Sequence, residues 1–357
     1  MNNFNISDFL IAGDLFSDSN SDLSIIDNTL SQLTKDNKLL ILNLEGTLKY
    51  KNANQIKNKA VPLLLEPQLI DLLAKYNVCV SLANNHSSDF GNDSTFYLKK
   101  ILHQKNIPHF GIFINGDINE SFIRIGEDFN KNPIYFVGSG WKNEQCVQSG
   151  SNRYGCLNFD FHDLVNVFNH IKAREERSRI FLFSHFGYEY EFWPLPLHVE
   201  IARKLIKYGF EGIFSCHTHT IQDFEIFQNK PIYYGLGNFF FSNSQIKHAK
   251  DITKGRLVNV ILKSDKLICK NYITEQNLNY NSLTIKKDKE SSPSLNKDLS
   301  IYSESYKYIR IRGKNPRPIL YPQSNIYNYV VYFTWKLIVQ ILGIIRCRKI
   351  VKKLLSW

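Results

Sequence analysis

Two patterns of apolar and polar residues alternate along this chain. Short, nearly continuous apolar runs that stop at Gly, Asn, Asp, Ser or His are typical of buried strands, and they occupy residues 8–14, 38–46, 77–86, 133–140, 179–187 and 211–219. Between several of them, apolar residues recur at helical spacing, which predicts helices over residues 66–76, 94–104, 161–176 and 197–209. This alternation predicts an α/β fold, a layered sandwich whose sheets are flanked by helices.

The pattern changes near residue 276 and divides the chain. Residues 221–273 carry mostly strand signals, which we interpret as the completion of the same sheet system. Residues 276–318 are rich in Asn, Ser and Lys, a composition that disfavours a packed core. We therefore predict one α/β domain over residues 1–275, a polar linker or extension over 276–325, and a C-terminal helix over 326–357.

The C-terminal segment is amphipathic first and basic afterwards. On a helix, Lys336 and Gln340 share one face, and apolar residues cover the opposite face. A basic cluster follows, made up of Arg346, Arg348, Lys349, Lys352 and Lys353. This combination favours attachment to an anionic membrane surface. Docking on the protein's own core or on a partner helix, and a tilted membrane span, are the alternatives.

The formal net charge of +11 is located in the same part of the chain. Residues 286–357 hold fifteen Lys and Arg against four Asp and Glu, whereas residues 1–285 hold 29 of each. Because the body is neutral, we expect no nucleic-acid partner. The six cysteines are scattered, which is typical of reduced thiols, and the N-terminus lacks the features of a secretory signal. We expect a cytoplasmic protein that is peripheral at the inner face of the membrane.

Possible metal ligands follow five of the predicted strands. They are Asp14, Glu45, Asn84 with Asn85 and His86, His185, and His217 with His219. Taken singly, each has an ordinary explanation as a turn residue, a helix cap or a buried histidine. In an extended segment, His217 and His219 would point the same way, which suits two metal ligands and two solvated histidines equally. The coincidence at five strand ends favours a metal site, and these groups suit two divalent cations such as Mn, Fe or Zn.

Several short motifs occur in a recognisable order. They are GD at 13–14, NLEGTL at 43–48, ANNHSSDFG at 83–91, SHFGYEY at 184–190, and CHTHTIQ and IYYGLGNFFF between 216 and 241. In this order they resemble the CapA-type family, named for capsule and poly-γ-glutamate synthesis, over about residues 8–265. The resemblance implies a calcineurin-like metallophosphoesterase fold. The chain departs from the common patterns in having no histidine two residues after Asp14, in Cys216 where a histidine is common, and in Phe186 where a tryptophan is common.

By position, the resemblance implies two metal sites that share Glu45. One cation would be held by Asp14, Glu45 and His219. The other would be held by Glu45, Asn85, His185 and His217. His86 would correspond to the catalytic histidine of metallophosphoesterases, and Asp89 and Glu189 match acidic positions of the family pattern. For these two acids we predict a role in orienting His86 and His185.

The resemblance and the ligand set together predict a metal-dependent hydrolase of phosphate esters or anhydrides that acts in surface polymer assembly. Its substrate would be a phosphorylated sugar, a nucleotide sugar or a lipid-linked intermediate. The alternative is a non-catalytic component that uses the same fold to bind a polymer or a partner enzyme, since a fold does not fix a reaction. Metal content distinguishes the two hypotheses.

Overall fold

Two β-sheets lie face to face in this protein, and helices cover their outer faces. The structure, a computed structural model, describes residues 6–51, 53–55, 61–242, 250–263, 266–277 and 282–288. The predicted class, an α/β sandwich of layered sheets and helices, is confirmed.

Among the described residues, the first sheet contains eight strands and is built around the first of them along the chain. With strands numbered along the chain, its members are β1 (Asp8–Phe16), β2 (Leu40–Leu44), β3 (Val78–Ser81), β4 (His109–Phe110), β12 (Asn238–Phe241), β13 (Lys254–Leu262), β14 (Leu267–Asn277) and β15 (Ser282–Lys287). Across the sheet the order is β15-β14-β13-β1-β2-β3-β4, and β12 also pairs with β1. Strands β1 to β4 are parallel, so their C-terminal ends meet at one edge.

The second sheet has seven strands within the described part of the chain, and several of them are parallel. Its members are β5 (Phe122–Glu127), β6 (Pro133–Gly140), β7 (Leu157–Asn158), β8 (Arg179–His185), β9 (Gly212–Cys216), β10 (Phe224–Phe227) and β11 (Lys230–Tyr233). The order is β10-β11-β9-β8-β6-β5, with β7 beside β6. Because β6, β8 and β9 are parallel, their C-terminal ends also lie at one edge.

Apolar side chains form three layers of core around the two sheets. The first sheet is covered by α1 (Leu23–Leu33), α2 (Pro67–Leu73) and α3 (Gly91–Gln104), and the second by α4 (Phe161–Arg174) and α5 (Pro196–Tyr208). Between the sheets, the ring of Phe9 lies 5.5 Å from that of Phe136 and 5.6 Å from that of Phe181. Each buried side chain of this kind stabilises the fold by about 1.5–3 kcal/mol, which holds the two sheets together.

The elements predicted between residues 8 and 219 are all present, with bounds shifted by a few residues. Helix α1 is an addition that the sequence analysis does not predict. Its N-cap residue, Asp22, accepts a hydrogen bond from the main-chain amide of Ser24, and Ile25, Ile26 and Leu30 face the core. Asp before an apolar periodic run is a start signal for a helix, so the sequence did contain the information.

Strand β15 lies inside the segment that we predict to be a polar linker or extension. It pairs antiparallel with β14, and Leu283 and Ile285 pack against the core of the first sheet, because residues two apart in a strand share a face. Residues 289–357, including the predicted C-terminal helix, lie outside the described part of the chain, so membrane attachment stays a prediction. None of the described helices is long and apolar enough to cross a membrane.

Candidate metal centre

The two sheets bring their ligand-bearing strand ends together at one edge. Strands β1, β2 and β3 deliver side chains from the first sheet, and strands β8 and β9 deliver side chains from the second. Six predicted ligands meet there, each at most 5% exposed: Asp14, Glu45, Asn85, His185, His217 and His219. The parallel direction of the strands is the cause, because it collects the residues that follow each strand at the same edge.

The loop after β9 is not extended at His217 and His219, whereas the sequence analysis treats the two histidines as part of an extended segment. Strand β9 ends at Cys216, and His217 and His219 have φ angles of 93° and 57°, in the left-handed region. Such a residue costs about 1–3 kcal/mol of strain, which surrounding contacts must offset. The main-chain amide of His217 donates to Asp14 Oδ2 at 3.0 Å. The two rings, 6.4 Å apart, therefore enter two different groups of ligands.

The first group, which we call the nitrogen-rich half, consists of Glu45, Asn85, His185 and His217. His185 Nε2 lies 2.9 Å from Asn85 Oδ1, 3.0 Å from His217 Nδ1 and 3.6 Å from Glu45 Oε1. His217 Nε2 is buried and has no hydrogen-bond partner among the described residues, and Glu144 Oε2 lies 3.8 Å away.

The second group, which we call the oxygen-rich half, contains Asp14, Glu45 and His219. His219 Nδ1 lies 3.7 Å from Asp14 Oδ2 and 4.0 Å from Glu45 Oε2. Glu45 thus faces the two halves with different oxygens, Oε1 towards His185 and Oε2 towards His219. A carboxylate in this position could serve as a ligand in both halves.

The hydrogen-bonding capacity and the charge of these groups fit a bound cation. An imidazole nitrogen makes one hydrogen bond, as donor or as acceptor, yet His185 Nε2 has two polar neighbours within 3.0 Å. Asp14 and Glu45 are both 0% exposed, and buried charges require compensation. The buried basic side chains of the described residues, Lys99 and Arg256, pair elsewhere with Glu120 and Asp288. A divalent cation bound between these groups would supply positive charge to both carboxylates.

His86 and Asp89 form a pair beside the nitrogen-rich half. His86 Nδ1 lies 2.7 Å from Asp89 Oδ2, which also accepts the main-chain amide of Leu63 at 2.9 Å. His86 Nε2 lies 3.9 Å from Glu45 Oε1, and the side chain of His86 is 10% exposed at the edge of the centre. The structure therefore brings together the two residues of this predicted pair; the catalytic role stays a prediction.

Glu189 lies in the loop after β8 and is half-buried. Its neighbour Tyr190 donates its main-chain amide to the Thr218 carbonyl at 2.7 Å, and the Tyr190 ring lies 5.9 Å from that of His219. The ring nitrogens of His185 lie within hydrogen-bonding distance of Asn43, Asn85 and His217. The predicted orienting role of Glu189 therefore stays a prediction.

Cys216 precedes the two histidines and is fully buried in the core between the sheets. Burial raises the pKa of its thiol well above the usual range, and the negative charges of Asp14 and Glu45 raise that pKa further. Its Sγ donates weakly to the Ser184 carbonyl at 3.7 Å. These surroundings favour a neutral thiol that packs as a small apolar side chain.

Asn43, to which the sequence analysis gives no role, and Asn84, named there as a possible metal ligand, hold Asp14 in place. Asn43 Nδ2 donates to Asp14 Oδ1 at 2.7 Å, and Asn84 Nδ2 donates to Asn43 Oδ1 at 3.1 Å. Asn84 Oδ1 in turn accepts the main-chain amide of His86 at 3.0 Å. Asn43 precedes Glu45 by two residues in an extended segment, so the period of a strand could have placed both on one face.

The fold and the site define an α/β protein of two sheets whose strand ends form a buried carboxylate and histidine centre suited to divalent metal. The chain belongs to the bacterial capsule synthesis protein family PGA_cap, whose profile matches residues 12–243. The family expected from the motifs is thereby confirmed.

Curated relatives match parts of the chain. Capsule biosynthesis protein CapA of Bacillus anthracis is 23% identical over 45% of this chain and 39% of its own length. PGA biosynthesis protein CapA of Bacillus subtilis is 22% identical over 56% of this chain and 52% of its own length. An uncharacterized protein of Sinorhizobium fredii is 29% identical over 23% of this chain and 18% of its own length. The matches thus span about half or less of these relatives.

Two solved structures show loose likeness to the fold. The NAD nucleotidase of Haemophilus influenzae has a TM-score of 0.45 and 12% identity, with 94% of this chain and 60% of that chain covered. The 5'-nucleotidase precursor from Thermus thermophilus has a TM-score of 0.46 and 10% identity, with 85% and 60% covered. Likenesses at this level carry no argument about the activity of this chain.

Proposed function

We propose that this protein is a metal-dependent phosphoric ester hydrolase that acts in the synthesis of a bacterial capsule or a related surface polymer. The observation that carries the proposal is the position of Glu45, which faces both ligand groups and has His86 Nε2 3.9 Å from its Oε1. The family supports the pathway, and the chemistry of the ligands supports the reaction.

The two halves of the centre would each hold one divalent cation, such as Mn, Fe or Zn. The oxygen-rich half offers Asp14 and His219, the nitrogen-rich half offers Asn85, His185 and His217, and Glu45 serves both. Bound cations of this kind supply positive charge for a phosphoryl oxygen and lower the pKa of water. The chain's part is to hold these ligands in a dry, fixed arrangement, which the burial of all six provides.

His86 is the proton donor in this proposal. With Nδ1–H donated to Asp89, the protonated ring keeps Nε2–H on the Glu45 side, where it can donate a proton to the leaving oxygen of the substrate. Asp89 is itself fixed by the Leu63 amide, so the ring has one favoured orientation. Asp89 therefore acts through His86 as a positioning residue.

The substrate that we propose is a phosphorylated sugar, a nucleotide sugar or a lipid-linked intermediate of the polymer. A cavity of about 560 Å³ lies near the second sheet, and most of its lining is apolar. Its polar lining groups are neutral amides and hydroxyls and one carboxylate, among them Asn115, Gln148, Ser149, Asn158 and Asp163. Cys156 also lines it and packs against Cys146, whose Sγ donates to the His185 carbonyl at 3.8 Å. Such a lining suits sugar hydroxyls.

The proposal is tested by assaying the purified chain with added Mn²⁺ against phosphomonoesters and phosphodiesters. We expect metal-dependent turnover that His217→Ala and Asn85→Ala abolish, because each removes a ligand. Asp89→Asn should lower kcat about 10–100-fold while leaving metal content unchanged, as is usual for groups that orient a site residue.

Two results would count against the hydrolase. One is an absence of metal-dependent turnover on every substrate, and the other is unchanged turnover in both ligand variants. A metal content below about one cation per chain, after purification without chelator, would favour a non-catalytic component of the polymer assembly machinery instead.

A further inference from the structure

Strand β12 runs beside β1 at the edge that carries the centre. Asp14 and Asn238 are paired positions in this parallel pairing, and the Asp14 amide donates to the Gly237 carbonyl at 3.0 Å. The backbones approach closely because Gly13 has no side chain: a Cβ at Gly13 would lie 1.8 Å from Gly237 O. This close approach places the Asn238 side chain, 2% exposed, next to the oxygen-rich half.

The amide of Asn238 has one favourable orientation. Its Nδ2 donates to the Ile252 carbonyl at 2.8 Å, so the other end of the amide, Oδ1, faces His219 Nδ1 at 2.9 Å. The reversed amide would set Oδ1 against a carbonyl oxygen, which is repulsive. Phe241 packs edge-on against the His219 ring at 4.8 Å and limits its rotation.

Four possible ligand atoms therefore converge in this half. His219 Nδ1 lies 2.9 Å from Asn238 Oδ1, 3.7 Å from Asp14 Oδ2 and 4.0 Å from Glu45 Oε2. Two atoms that bind one cation at about 2.0–2.2 Å lie about 2.8–3.6 Å apart when they are neighbours in an octahedral or tetrahedral shell, and about 4.0–4.4 Å apart when they are opposite each other. A hydrogen on His219 Nδ1 would bond Asn238 and leave the two carboxylates beyond hydrogen-bonding distance of that nitrogen, whereas a cation can contact all four atoms.

We propose that Asn238 Oδ1 is a direct ligand of the cation in the oxygen-rich half. The inference rests on the proposed metal binding and adds to it a ligand from β12. With Asn238 the half offers three oxygens and one nitrogen, where the other half offers two imidazoles. Oxygen ligands favour hard cations, so the chemical class that fits this half is Mn²⁺ or Mg²⁺ ahead of Zn²⁺.

The test replaces Asn238 with a ligand that has its own optical signature. Asn238→Cys in the full chain, loaded with Co²⁺, should show a sulfur-to-cobalt charge-transfer band in the near ultraviolet. A thiolate binds at about 2.3 Å, and this longer bond partly compensates for the shorter side chain. The matched control is Asn238→Ser, similar in size without the sulfur, and the wild-type chain controls for Cys216.

A band in the Cys variant alone supports direct ligation. A folded Cys variant that binds Co²⁺ without the band overturns it and leaves Asn238 as a residue that only positions His219. If the Cys variant does not fold, Asn238→Asp is titrated with Mn²⁺ by electron paramagnetic resonance. Binding at least about tenfold tighter is expected, because a carboxylate replaces a neutral ligand; unchanged or weaker binding overturns the proposal.

These readouts need no turnover, so they separate ligation by Asn238 from the proposed hydrolase activity. A charge-transfer band in a chain that hydrolyses no phosphate ester would refute the hydrolase and support the ligand. If the wild-type chain hydrolyses phosphate esters in a metal-dependent way and the Cys variant shows no band, the hydrolase is supported and ligation by Asn238 is refuted.

Discussion

His217 and His198 are two fully buried imidazoles with opposite surroundings. His217 lies among polar groups, with His185 Nε2 at 3.0 Å and Glu144 Oε2 at 3.8 Å. His198, on α5, is enclosed by the rings of Trp141, Phe159 and Phe186, with centroid distances of 4.4, 5.6 and 4.7 Å. Neither ring nitrogen of His198 has a hydrogen-bond partner in the described part of the chain.

The comparison shows that burial alone does not identify a functional histidine. Burial, with a smaller contribution from the nearby His217, lowers the pKa of His198 to about 3, so His198 stays neutral at physiological pH. We call Trp141, Phe159, Phe186 and His198 the aromatic group. The aromatic group is connected to the nitrogen-rich half through His185: Phe186 is the next residue along the chain, and the Trp141 amide donates to the His185 carbonyl at 2.9 Å.

The largest expected effect is a difference in metal content and activity between a variant of His217 and a variant of His198. If the proposed function holds, His217→Ala should remove the cation of the nitrogen-rich half and lower the proposed phosphoesterase activity by at least about 100-fold, more than the loss typical of outer groups. His198→Leu is the matched buried substitution and should leave metal content unchanged and activity within about threefold, since the ring has no polar role. Elemental analysis measures the metal content of both variants, and turnover measures their activity. Equal losses of metal and activity in the two variants would show that His217 and His198 do not differ in function.

A smaller effect concerns stability in acid. Because the pKa of His198 is about 3 in the folded chain and 6.5 ordinarily, the unfolded chain takes up this proton first as the pH falls. His198 therefore lowers the free energy of unfolding by about 1.4 kcal/mol for each pH unit below 6.5, down to about pH 3. We expect His198→Leu to flatten this slope in urea unfolding between about pH 6 and pH 4.5.

Metal release would confuse this measurement, so both chains are unfolded in chelator. The difference between wild type and His198→Leu then reports His198 itself. An identical dependence on pH in the two chains would mean that His198 titrates normally and that the aromatic group admits water.

The smallest effect concerns the thiol next to His217. Cys216→Ala should leave metal content unchanged and lower the free energy of unfolding by about 1 kcal/mol, because a small buried side chain is truncated in the core between the sheets. Cys79→Ala, another buried thiol of that core, is the matched control. Loss of a cation in Cys216→Ala alone would show that the thiol is a ligand after all.

Much of the fold could be predicted because a buried parallel strand has a recognisable sequence pattern, a continuous apolar run that ends in polar residues. The same pattern predicts that Asp14, Glu45 and His185 lie at the C-terminal ends of strands and therefore at the same edge of the sheets. It does not predict Asn238, which was part of a recognised motif but gained a possible role only when β12 paired with β1. The aromatic surroundings of His198 could not be predicted either, because its neighbours come from separate elements and no local sequence pattern specifies how those elements pack.

The contact between Gly13 and Gly237 also constrains how the protein is made. It joins a residue near the start of the domain to one near its end, so β1 and β12 cannot meet until most of the domain has left the ribosome. Contacts this distant in sequence form late and slow folding. A nascent chain therefore presents Asp14 and Glu45 without Asn238 and His219, and these four side chains come together only after synthesis of the domain is nearly complete.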